Sequence, residues 1–89
     1  MNADRRKRIA AAAETIRAAL ATIEDARAAL EEVQQEEQDA FDNLPESLQE
    51  GERGQAMQEA AEALESAAND IEQGADSIAQ ACDALEGIE

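Results

Sequence analysis

Large apolar residues recur every seven positions in both halves of the chain. Met57, Leu64, Ile71, Ile78 and Leu85 form one comb, and Ile9, Ile16, Ile23 and Leu30 the other. Three positions after each tooth stands a mostly small residue: Ala60, Ala67, Gly74, Ala81 and Ile88 in the second half, and Ala12, Ala19, Ala26 and Val33 in the first. The second half adds a further small row at Ala61, Ala68, Ala75 and Cys82. A seven-residue apolar repeat held over four heptads is the signature of helices supercoiled around one another. Pro45, the single proline, lies between the combs and reads as a reversal. The pattern therefore predicts an all-α protein: an antiparallel two-helix coiled-coil hairpin with an alanine-rich seam. In it Ile9, Ile16, Ile23 and Leu30 face Ile71, Ile78 and Leu85.

Local signals set the expected boundaries within a single domain, residues 1–89. Helix one spans about 4–42, with Asp4 as its N-cap, and Glu14, Arg17, Glu24, Asp25 and Arg27 share its outer face. The reversal and a short helix occupy about 43–53, and helix two spans about 54–86 with Gly87 near its end. Asn43-Leu44-Pro45-Glu46 has the form of a capping box, and it predicts a short helix from Leu44 to Glu50 stopped by Gly51. Gly54 marks a second break. The first comb weakens after Val33, where Glu37 takes a large-residue position; there it either lies where the helices splay or fixes register.

Charge changes the picture. Residues 1–30 carry six basic and four acidic side chains, whereas residues 31–89 carry 18 acidic ones against Arg53 alone. A field of that sign repels nucleic acid and anionic membrane and attracts basic protein surfaces. The basic run Arg5-Arg6-Lys7-Arg8 opposes the macrodipole at a helix start. An antiparallel hairpin brings it beside Asp83, Glu86 and Glu89, which offsets the conflict. Alanine-rich helices leave faces such as Ala11, Ala18 and Ala29 uncovered, which predicts a homodimer forming a four-helix bundle. No apolar run approaches the roughly 20 residues of a membrane span. No uninterrupted apolar leader follows the basic start, so a cytoplasmic location is expected.

The chemistry-bearing residue types are sparse. Histidine is absent, which removes the commonest partner for acid–base or nucleophilic dyads. Glu36, Glu37, Asp39 and Asp42 lack the glycine and spacing of a calcium loop, and Gly51-Glu52-Arg53-Gly54 is too short and too acidic to cradle phosphate. Cys82 stands in a row of alanines beside Asp83 and Glu86, and reads as a small seam residue rather than a reactive thiol. No catalytic residue, cofactor site or metal site is expected.

The stretch from Glu36 through Asn43-Leu44-Pro45-Glu46-Ser47-Leu48-Gln49 to Glu52-Arg53-Gly54 resembles a motif of small acidic proteins encoded by tailed phages and prophages. There a similar element joins two long helices. The resemblance implies a phage or prophage origin and a hairpin, with no established activity attached to it. It covers the middle quarter of the chain; Gly51 and the abundance of alanine depart from it. Within the motif, Phe41, Leu44, Leu48 and Met57 can form an apolar plug, while Ser47, Gln49, Glu52 and Arg53 can present a polar tip to a partner. Together with Glu59, Glu62, Glu65 and Asp76 on the acidic face, these are the candidate partner-binding residues. The leading expectation is a non-enzymatic modulator that binds a basic host or phage protein in the host cytoplasm, with an anti-defence role as an acidic DNA-like decoy. The alternatives are an oligomerisation or assembly module, and a sponge for a small anionic ligand such as a nucleotide, held by Arg5 to Arg8 or by the reversal loops of an oligomer.

Overall fold

The computed structural model describes residues 2–89. Helix α1 runs over Ala3–Asp42, a short α2 over Glu46–Gln49, and α3 over Glu52–Glu86; α1 and α3 pack against each other as an extended antiparallel hairpin. The molecule is 68 Å long and about 15 Å across in its Cα positions. A rise of about 1.5 Å per residue puts the 40 residues of α1 along nearly all of that length. The cap of α1 is Asn2 rather than Asp4: its Oδ1 accepts from the Arg5 backbone N–H at 2.8 Å, and Asp4 lies in the first turn. Both residue types cap well, and the earlier of the two captures the free amide.

The centre of the seam differs from the expected facing of the two large-residue combs. In α3 the buried column is Gly54, Ala61, Ala68, Ala75 and Cys82, four positions after each comb residue, and Cys82 is fully buried. In α1 the matching column holds Ala13 and Leu20, both buried, then the half-buried Arg27, Gln34 and Phe41. The combs flank this column instead of filling it. Ile9, Ile23, Leu30, Leu64, Ile71 and Leu85 are half-buried, while Ile16 and Ile78 keep 37% and 38% of their surface. Large side chains from both helices at the centre would overpack, so the small column of α3 lies opposite the larger Leu20, Arg27, Gln34 and Phe41 of α1. The small residues three positions after the teeth, including Ala19, Ala26, Ala67 and Gly74, are exposed. Ala11, Ala18 and Ala29 are exposed as well, and their heptad positions set them on the back of α1, away from the seam.

The reversal folds by another device than a capping box. Asn43 is the C-cap of α1, its backbone N–H donating to the Asp39 carbonyl at 3.0 Å. Pro45, with φ −55° and ψ 145°, is the N-cap of α2, and no side chain caps that helix. Proline's fixed φ turns the chain here, and Asn43 is spent on ending α1. The short helix is thereby confined to Glu46–Gln49, Gly51 caps α3, and α3 begins at Glu52 instead of at 54. Gly54 is no break. It is helical and buried, and a Cβ built there would stand 2.1 Å from the carbonyl oxygen of Gln49 and 2.6 Å from its Cα. Glycine is required because the backbone of α2 lies directly on α3 at that point.

Gly54→Ala would raise intrinsic helix propensity, yet the steric clash is with backbone and cannot be relieved by a rotamer. The expected outcome is a loss of about 1–3 kcal/mol in a urea titration. A gain in stability would show that α2 does not dock on α3.

Candidate functional site

The hairpin has two unlike flanks. On one side of the seam Arg17 bridges the helices: its Nε donates to both carboxylate oxygens of Glu86 at 2.8 and 2.9 Å, and its Nη2 donates to Asp83 at 2.7 Å. Arg27 lies in the seam column itself, with its guanidinium donating to Glu24 and Glu31 on its own helix. Arg17 and Arg27 were both expected on the outer face of helix one. Each is half-buried, because a long aliphatic stem can cover the seam while the charged head reaches its rim. The hydrogen bonds it donates to Glu86 and Asp83 hold the Arg17 guanidinium above its ordinary pKa, and the bond Glu86 accepts from Arg17 holds that carboxyl below the usual value.

On the other side both helices present apolar rows. A groove lined only by Ile23, Ala26, Ile71, Gly74, Ala75 and Ile78 lies there, at mid-length of the hairpin. The rows coincide because each helix carries its comb, then its exposed small residues, in the same rotational order, and reversing one helix turns that order onto a shared side.

The candidate partner-binding residues separate into three places. Ser47 and Glu52 are exposed at the tip, as is Arg53. Gln49 is half-buried: its Nε2 donates to the carbonyls of Phe41 at 3.1 Å and Leu44 at 3.2 Å. Its amide is engaged with the backbone of the turn, where the Phe41 carbonyl also accepts from the Leu44 N–H at 3.0 Å. Glu59, Glu62, Glu65 and Asp76 are exposed along α3 over about 25 Å, given 1.5 Å of rise per residue. Glu62 and Glu65 line a shallow polar groove with Ser66, Asn69, Asp70 and Gln73. Among the described residues none of these four carboxylates has a cation in ion-pair range. Of the apolar plug, Phe41, Leu44 and Met57 are half-buried, but Leu48 keeps 48% of its surface and does not close it. Glu37 is half-buried at the edge of the seam.

The expected pairing of Arg5 to Arg8 with the end of helix two does not form. Asp83 and Glu86 are taken by Arg17, and Arg8 pairs with Asp4 of its own helix at 3.8 Å. Leu85 and Ile88 lie level with Ile9 and Ala13, so the first turns of α1 overhang α3. Arg5, Arg6 and Lys7 form no ion pair among the described residues. No group of three or more metal-binding side chains clusters among them either. Among the described residues no helix is long and apolar enough to cross a membrane. In comparison with known proteins, the chain matches no family model, no curated protein and no solved structure.

Two measurements separate these roles. Gln49→Ala should cost about 1–2 kcal/mol in urea, the worth of two modest hydrogen bonds, while Ser47→Ala changes stability by less than about 0.5 kcal/mol. Equal effects would remove Gln49 from the turn. Glu86→Gln should lower the melting temperature at pH 7. A carboxyl with a depressed folded pKa contributes stability that is present above its unfolded value, about 4.3, and lost as pH falls through the folded one. The gap between Glu86→Gln and the parent should therefore close on acidification below pH ~4. A gap that persists unchanged to strong acid would assign the effect to packing.

Proposed function

We propose that the protein is a non-enzymatic protein-binding modulator of phage or prophage origin, acting as a homodimer in the host cytoplasm and binding a basic protein surface through its acidic exterior. The observation that carries this reading is the density of net negative charge along an extended rod. From Glu24 to Gly74, the tip half of the hairpin, 16 acidic residues face two basic ones. Spread over half of the 68 Å length, that net −14 is roughly one charge per 2.4 Å, against about 1.7 Å along duplex DNA. A basic site built for a nucleic acid backbone meets a comparable field here. An anti-defence role as a decoy for such a site is the form this reading takes. The apolar flank favours a second reading, an assembly module in which acidity serves only solubility.

Tagged protein bound from a lysate of infected cells tests the choice. On the decoy reading the captured protein is released by excess duplex DNA and by rising salt, because exposed charges are screened over about 8 Å at physiological ionic strength. Neutralising Glu59, Glu62, Glu65 and Asp76 together should weaken capture at least tenfold, and more than removing the charges of Arg5 to Arg8. Undiminished capture by the quadruple variant at low salt overturns the decoy, and recovery of virion components instead supports the assembly reading.

A further inference from the structure

We propose that the apolar flank is covered by a second copy of the chain lying in reverse, so that the tip of each hairpin meets the open end of the other. The proposal gives an interface and an orientation to the homodimer proposed above, and it is independent of what the acidic exterior binds.

The flank is large enough. The 68 by 15 Å outline gives roughly 1,000 Å² per copy, against about 800 Å² per partner in a standard stable interface. Its middle is built for close approach. Gly74 lies inside α3, level with Ile23 and Ala26 near the midpoint of α1, and a Cβ there would meet nothing within 4 Å. The hairpin alone gives no reason for glycine, the poorest interior helix former after proline. Two chains related by an axis perpendicular to the rod bring α3 against α3 at this level, and glycine then lets the backbones approach.

Charge selects the second copy and its direction. The tip half carries −14, whereas residues 1–23 and 75–89 of the open half sum to −1. Stacking hairpins tip on tip would set −14 against −14 in a long parallel contact. Reversing one sets −14 against −1. It also brings the overhanging Arg5, Arg6 and Lys7, which form no ion pair among the described residues, beside the acidic turn of the other copy at Asp39, Asp42 and Glu46. The chain thus carries the electrostatic complement to its own tip.

Mass and orientation are measured on the full chain. Light scattering should give a dimer, and any other mass overturns the proposal. For orientation, Ser47→Cys carries a nitroxide in a Cys82→Ala background, which continues the alanine column. The separation between the two labels should approach the 68 Å length of the rod. Tips side by side, within about two helix spacings of 8–10 Å, would overturn it. Gly74→Lys should give a monomer of unchanged helical content, while Gln80→Lys on the exposed back stays dimeric. A dimer that survives Gly74→Lys rejects the assigned face; if that variant unfolds, the label separation on the Ser47→Cys protein still decides. Loss of the decoy activity with the dimer intact would leave this arrangement standing.

Discussion

The close approach of α1 and α3 along Gly54, Ala61, Ala68, Ala75 and Cys82 is the contact on which the rest of the molecule depends. No residue of α3 in that column is larger than cysteine; it lies against Ala13 and the buried Leu20 of α1, and the isoleucines and leucines of the two combs stand to one side. The displacement has two consequences. The seam itself removes little apolar area from water per layer, since alanine offers little to bury. The larger side chains then form a one-sided strip, half-covered by their neighbours. The choice of small residues at the centre thus creates the flank that needs covering, and the two features are a single property of the sequence.

The turn repeats the device at smaller scale. Gly54 lets the backbone of α2 rest on α3, and that placement aims the Gln49 amide at the Phe41 and Leu44 carbonyls. The two residues act jointly: without the bare Cα at Gly54 the four-residue helix has nowhere to sit, and without Gln49 the Phe41 and Leu44 carbonyls lose the side-chain donor they share. Pro45 supplies the change of direction between them, with no side-chain cap on α2.

Fold class and pairing direction were legible because the seven-residue combs and a lone proline survive any local ambiguity. The choice of central column was not. Alanine occupies both the third and the fourth position after most teeth of α3, as in Ala60 and Ala61 or Ala67 and Ala68, so spacing alone cannot say which row faces the partner helix. In α1 the true column is disguised by Arg27, whose charged head reads as an outer-face residue although its stem lies on the seam, and it continues through the polar Gln34. Asn43 had the sequence of an N-cap but was already committed to ending α1, and Gly54 reads as a break in any pattern that ignores the chain lying above it. The structural role of Gln49 was hidden in the same way: it is polar, but its amide bonds backbone groups eight and five residues behind it.

The electrostatics follow from the same geometry. Arg17 and Arg27 spend their charge on one flank, where they tie Asp83, Glu86, Glu24 and Glu31, and the mid-length groove of the opposite flank is lined by uncharged residues alone. What remains is an exterior whose negative charge is concentrated at the turn. Like charges at that density oppose compaction, and a thin alanine seam supplies little to offset them. A contact that adds apolar burial along the flank and brings cations to the tip relieves both weaknesses at once. Acid residues on the back and tip can then be retained at high density without dissolving the hairpin, which is the condition any function built on that charge requires.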